Sequence, residues 1–438
     1  MRARLRISSL VAVAVGTLSI VEVVADANAQ WPQWGGPGRN FTVSDARGLA
    51  DSWPEDGPPR LWRRRLGVGY SGIVYDDGVL YTMYRKGRAS SQERVLALDA
   101  TTGKPIWEHK NRAPIPEPPD ERWGGQGPNS TPLIVGDLLY TVGSLAVLHC
   151  FDKKTGDVLW SHDLKKEYGA TMSGSCGYCP SPIAYGNTII VVIVHQGTNN
   201  TEDRPSNLST EPTLAAFDQK TGELVWKGLG FRSEFTSPTV INFAGRDQLI
   251  LGTTEGLISA NPESGELLWH HAAPANIQTP AWDEKDLLFY SSTPELGGIA
   301  VRLSHQEGRT VPSQLWANRE TAADIATPVR CADHLYTCDR QMMLCVDWKT
   351  GERVWAERGY PNAWCLRAGG RLIILDENGQ LTLATAAPEG LTVHGQYQAT
   401  ERYSLTAPIL VGTTLYVRDR KFIMALDLGP APTSIARK

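Results

Sequence analysis

No apolar run in this 438-residue sequence reaches the ~20 residues that a membrane-spanning helix requires. The stretch from Leu10 to Ile20 is shorter, and Glu22 interrupts its end. An excess of either charge is also missing. The 43 Lys and Arg against 47 Asp and Glu leave a formal net charge of -4, which gives no reason to expect a nucleic-acid partner. Nor is there a second C-x-x-C to accompany Cys176 and Cys179, so a four-ligand structural zinc site lacks its other half. No cysteine stands near residues 27–29 to accept a lipid.

The first thirty residues read as a targeting segment. Arg2, Arg4 and Arg6 precede the apolar stretch, and Ala27-Asn28-Ala29 fits a small-residue cleavage site. A signal peptide over 1–29 is expected, with a membrane anchor as the competing reading. The mature chain, 30–438, is then expected in the periplasm or outside the cell, as one domain and a monomer. With 41% hydrophobic residues it can bury a large core.

An oxidising compartment lets cysteines pair, but seven is odd, so at least one stays free or bridges to a partner. Those at 150, 331, 338, 345 and 365 read as small buried hydrophobes. Cys176 and Cys179 are expected to form a disulfide; a metal pair completed by His195, or plain thiols, are the alternatives.

What the sequence has in abundance is repetition. "ALDATTGKPIW", "CFDKKTGDVLW", "AFDQKTGELVW", "SANPESGELLW" and "CVDWKTGERVW" share an Asp or Asn eight residues before a Trp. Asp99, Asp152, Asp218, Asn261 and Asp347 suit acceptors for amides two residues on, and Gly103, Gly156, Gly222, Gly265 and Gly351 suit the positive φ that closes a hairpin. Trp107, Trp160, Trp226, Trp269 and Trp355 then stand on the last strand, able to fill the gap between neighbouring sheets. Ser/Thr-Pro dipeptides at 131, 181, 237, 279 and 327 open the units.

Counting Trp62, Trp316 and Tyr397 as further anchors gives eight units. The last lacks a final strand, which the segment around Trp62 is placed to supply. The prediction is an all-β, eight-bladed propeller of four-stranded blades, closed by the N-terminal strand.

The "LDxxTGxxxW" turns and the opening "WPQWGGPGRN" at Trp31 resemble the pyrroloquinoline quinone (PQQ)-like repeat propellers. The resemblance covers essentially the whole mature chain. It implies either a PQQ-dependent dehydrogenase with calcium or a non-catalytic propeller like the outer-membrane β-barrel assembly lipoprotein. The enzymes of that family use calcium ligands, an aspartate base and often a disulfide between adjacent cysteines. This sequence has no adjacent cysteine pair and no C-x-x-C-H haem site, and no segment identifies the calcium ligands or the base.

Long insertions at 108–129, 161–180 and 195–213 fall on one expected face and build a rim. Rim candidates are Trp123 and Tyr178 as stacking platforms or loop anchors, Cys176, Cys179 and His195. Arg85, Lys86, Arg88, Arg340, Arg418 and Arg420 fall in hairpins of that face, where they would make a basic mouth suited to carboxylates such as those of PQQ or an acidic polymer, or simply be solvated. Asp376 and Glu377 read as solvated turn residues. The expected function is binding of a protein, small molecule or polysaccharide at this rim. PQQ-dependent oxidation of an alcohol, sugar or polymer, and a carbohydrate-associated or envelope-organising role, are the alternatives.

Overall fold

The computed structural model describes residues 30–87, 90–114, 127–171, 176–195, 211–233, 235–275, 277–323, 325–401 and 403–430. Eight antiparallel sheets form a ring, each built from four consecutive strands except the last. Blade 1 runs through Val74–Asp76, Val79–Arg85, Gln92–Asp99 and Pro105–Arg112, and blade 6 through Val329–Cys331, His334–Cys338, Met342–Asp347 and Arg353–Arg358. Blade 8 takes three strands from the C-terminal end and its outermost, Arg60–Arg65, from the N-terminal side, paired antiparallel with Phe422–Asp427. This is the predicted closure, which leaves no sheet edge between the first and last blades.

The repeat motif shows how the ring is stitched. In three of the turns the Asp carboxylate accepts two backbone amides, as Asp152 does from Lys154 and Thr155, both at 2.9 Å, while Asp99 accepts the Thr102 amide and hydroxyl and Asn261 the Glu263 amide. The turn glycine has a φ of 65–76° in all five copies. The indole of the preceding blade lies against that glycine: Trp62 on Gly103, Trp107 on Gly156, Trp160 on Gly222, Trp226 on Gly265 and Trp316 on Gly351. Each indole N–H donates to the carbonyl just after the Asp or Asn, from Trp62 to Ala100 at 2.9 Å through Trp316 to Trp348 at 3.0 Å. One motif thus serves two blades: its own tryptophan reaches forward, and its turn receives the tryptophan behind.

The exceptions follow the same logic. Blade 5 replaces the motif by a tight hairpin at Glu307 and Gly308, both at positive φ. Trp269 therefore meets no turn glycine and donates to Gln248 Oε1 in its own blade at 2.7 Å; Gln248 in turn donates to Thr310 on the blade 5 hairpin. At the seam, Gly57 at φ 81° packs under Tyr397 in place of a turn glycine.

The centre of the ring is filled by the segment after Gln30. Trp31 exchanges backbone bonds with Tyr75 of blade 1, and the Pro32 carbonyl accepts from Ile134 of blade 2. Thr42–Val43 then runs parallel to the innermost strand of blade 7, Trp364–Ala368, as a fifth strand inside the sheet. Residues 31–43 are a plug, which the sequence did not predict; there the stretch at Trp31 served only as a mark of family resemblance.

Candidate functional site

Above the plug, on the face that carries the long insertions, lies a cavity of about 1040 Å³. All eight blades contribute to its wall, mostly through the residues just ahead of their first strands. Its floor includes Trp34, the tip of the plug, whose indole N–H donates to Thr279 Oγ1 of blade 5 at 3.1 Å. Trp34 meets Trp364 edge to face with centroids 5.3 Å apart, and Trp364 is anchored on the Leu405 carbonyl at 3.0 Å. Two indoles and a series of blade-start hydroxyls give the site an apolar base with scattered donors.

Several hydroxyls here are already committed. Ser181 Oγ accepts from Thr131 N, and Ser237 Oγ accepts from Ser181 N, so the openings of blades 2, 3 and 4 are linked in sequence. Thr327 Oγ1 and Tyr70 Oη are buried without a partner among the described residues, and burial pushes the Tyr70 phenol up to about 12. Both are therefore positioned to accept or donate to a guest or a trapped water.

The charged groups at the cavity divide. Arg340 lines it, as expected at the rim. Glu320 pairs with Arg353 at 3.1 Å, and Asp339 accepts the amides of Gln341 and Met342 at 2.7 and 2.6 Å. Among the described residues, no three His, Cys, Asp or Glu side chains converge to hold a metal ion. The calcium that the family resemblance implies takes a cage of oxygens, and at this cavity Glu320 and Asp339 are the only acids among the described lining residues.

Cys176 and Cys179 both line the cavity, with their sulfurs unbonded in the structure. Asn129 spans them, donating to the Cys176 carbonyl at 2.7 Å and to Cys179 Sγ at 3.8 Å. Burial, then the neighbouring Cys176, pushes the Cys179 thiol up, so it stays protonated. The metal pair with His195 fails. His195 is buried, and its Nε2 is engaged by the Pro212 carbonyl at 3.0 Å.

Two of the arginines placed at a basic mouth are instead interior clamps. Arg418 of blade 8 is fully buried and donates to the carbonyls of Gly69, Ser71 and Met83 and to Thr82 Oγ1, all in or leading into blade 1. Arg85 is fully buried and pairs with Glu93 at 2.8 Å, while Glu93 also receives the Ser144 amide of blade 2. Arg418 is held inside by carbonyls of the neighbouring blade, and Arg85 by Glu93 and by the Ser90 and Ala113 carbonyls of its own blade, so neither is left buried without partners. Arg420 stays nearer the surface, its guanidinium 5.1 Å from the Tyr403 ring centroid. Lys86 is exposed.

Other expectations also change. Tyr178 is no surface platform: it is fully buried and donates to the Val192 carbonyl at 2.8 Å, anchoring its loop. Asp376 is buried rather than solvated, accepting from Gln380 N, and its carboxyl is pushed up by desolvation. Glu377 is half-buried and accepts from Asn362. Trp123 and Arg88 lie outside the described residues. The site residues that sequence reasoning missed are Trp34, Trp364 and Thr279; the Pro- and Gly-rich stretch with two tryptophans at its start was the signal for the first.

The ring, its plug and the cavity above it define an eight-bladed propeller with a closed axis. The chain belongs to the family described as outer membrane protein assembly factor BamB, which matches residues 91–357. It is 26% identical over 329 residues to the quinoprotein ethanol dehydrogenase of Pseudomonas aeruginosa, covering 72% of this chain and 45% of that protein. It is 27% identical over 325 residues to the quinoprotein ethanol dehydrogenase of Pseudomonas putida, with the same coverage. It thus spans under half the length of these curated relatives. Among solved structures it is similar to BamB from Moraxella catarrhalis, with a TM-score of 0.58 at 13% identity over 84% of this chain and 99% of that one. The quinohemoprotein alcohol dehydrogenase of Comamonas testosteroni superposes with a TM-score of 0.65 at 13% identity over 93% and 82%. Both structures share the fold.

Proposed function

We propose that this chain is a non-catalytic binding propeller of the cell envelope, in which a protein segment, small molecule or polysaccharide end docks at the cavity mouth above the plug. The observation that carries this reading is the state of its acids: the two carboxylates that border the cavity, Glu320 and Asp339, are taken up by Arg353 and by backbone amides. A general base has to be held with a lone pair aimed into the site; here one oxygen of each acid is already directed at a partner of its own, Glu320 Oε2 at Arg353 and Asp339 Oδ1 at two backbone amides. Binding needs only shape, the Trp34 and Trp364 surfaces, and the donors around them. The same reading places the mature chain in an oxidising compartment as a single-domain monomer, with residues 1–29 as the export signal.

A second reading, quinone-dependent alcohol oxidation, is favoured by the similarity to the quinoprotein ethanol dehydrogenases. Arg340 and the two indoles would suit a planar polycarboxylate, although no three acids converge beside them among the described residues. The melting temperature of the mature protein with PQQ, Ca²⁺, both or neither separates the two. A guest at about a hundred times its dissociation constant adds ~2.7 kcal/mol. A rise that requires both additives would overturn the binding reading; no rise at saturation is the expected result. Arg340→Glu and Trp34→Ala then serve as the controls for any partner found by cross-linking in the native envelope.

A further inference from the structure

Two thiols face each other across the junction of blades 6 and 7. Cys338 ends the second strand of blade 6 and Cys365 lies in the first strand of blade 7, Trp364–Ala368; their sulfurs are 3.9 Å apart. Each is 1% exposed. The remaining sulfur neighbour is Met343 Sδ, 3.4 Å from Cys338 and 3.6 Å from Cys365. No other pair among the seven cysteines has its sulfurs brought together in this way across two blades: Cys150, for example, points its sulfur at the Gln219 carbonyl.

We propose that Cys338 and Cys365 form an inter-blade disulfide in the mature protein, an inference that rests on the oxidising compartment proposed above. An S–S bond is ~2.0 Å long, so from 3.9 Å each sulfur has to advance by about 1 Å. The chemistry is thiol–disulfide exchange. One cysteine thiolate attacks the disulfide of an oxidant, either a dithiol oxidase protein or oxidised glutathione, and releases one of its sulfurs as a thiol. The second cysteine then displaces the other sulfur from the mixed disulfide. The two cysteines lose two protons and two electrons, and the oxidant's disulfide becomes two thiols. Since both sulfurs are closed to solvent in the completed ring, exchange takes place before blades 6 and 7 dock.

The bond would sit behind the cavity wall. Asp339, Arg340 and Met342 follow Cys338 directly, Trp364 precedes Cys365, and all four line the cavity. Joining the two cysteines fixes the Arg340 hairpin against Trp364 and so holds one side of the docking site in register. It also reinforces a junction where the usual staple is incomplete, because Trp355 finds the Ala387 carbonyl of blade 7 but no turn glycine beneath it.

The test has two arms. The mature chain is refolded in a glutathione redox buffer, and in parallel isolated from cells that carry the full sequence; both samples are alkylated without reduction and mapped by peptide mass. The expected result is a peptide pair linked through 338 and 365, an intact mass about 2 Da below the fully reduced chain, and loss of the link in C338S/C365S. Reduction should lower the melting temperature of the wild type and leave that of the double variant unchanged. Alkylation of both cysteines in the refolded wild type overturns the proposal, as does a link confined to Cys176 and Cys179, or one copper per chain with both thiols free, which would mark the three sulfurs as a soft-cation site. A link in the refolded sample with free thiols in the cellular one leaves the pair standing and overturns the envelope compartment instead.

Discussion

Trp62, on the strand that closes the ring, lies flat against Gly103 of blade 1 and donates its indole N–H to the Ala100 carbonyl at 2.9 Å. A Cβ at Gly103 would come within 2.5 Å of the Trp62 ring, at a φ of 65°. By contrast, Gly78 in the same blade has a φ of 78° with open space around it. Gly78→Ala is therefore expected to cost only the backbone strain, about 1 kcal/mol, and Gly103→Ala that strain plus overpacking, ~2–4 kcal/mol in all. Urea unfolding of the two variants checks the difference; equal costs would show that the indole yields freely.

Arg418 is the other clamp across the seam. Arg418→Met leaves four acceptors of the blade 1 region without their donor, a loss expected at about 3–5 kcal/mol. Arg420→Met, two residues on and nearer solvent, is expected to cost under ~1 kcal/mol. Chemical denaturation of both reports whether the interior clamp or the general positive charge matters.

His149 sets an acid limit. Burial, then the proximity of His109, lowers its imidazole from the ordinary 6.5 to about 4, and its Nδ1 is buried without a partner. Between these values the unfolded chain binds a proton that the folded chain refuses, so stability is fully present above pH 6.5 and is lost as the pH falls towards 4. The loss approaches ~3 kcal/mol. His149→Phe is expected to flatten the stability profile in that window, read by melting temperature at stepped pH.

Cys179 offers a chemical readout of the cavity. Its raised thiol should resist iodoacetamide in the native protein at neutral pH, and labelling should accelerate only in alkaline solution. Peptide mapping after timed alkylation gives the rate; rapid reaction at pH 7 would contradict the protonated thiol.

The ring was legible because its signal is local and repeated: an Asp turn, a glycine and a tryptophan within eleven residues, five times over. Even the missing last strand could be inferred, from Trp62 standing without a blade of its own. The plug was not, since its partners are far away in sequence; Trp34 and Thr279 are 245 residues apart. The arginines misled for a related reason. In the sequence, Arg85 and Arg418 are hairpin charges like Arg420; Glu93 and the Ala113 carbonyl turn the first inward, and the carbonyls of blade 1 the second. Tyr178 and Asp376 are likewise buried through partners that loop composition does not announce, the Val192 carbonyl and the Gln380 amide.

The plug and the closing strand both come from the N-terminal side, yet their partners include the last blades made. The Ala50 amide bonds the Leu428 carbonyl, and Arg418 reaches back 349 residues to Gly69. A chain that emerges from one end holds these segments unpaired until nearly all of it has been produced. Such high contact order predicts slow completion of the ring and a long interval with an open sheet edge. For this protein, residues near Ala50 and Gly69 wait for partners more than three hundred residues further on, and folding yield should depend on what shields them meanwhile.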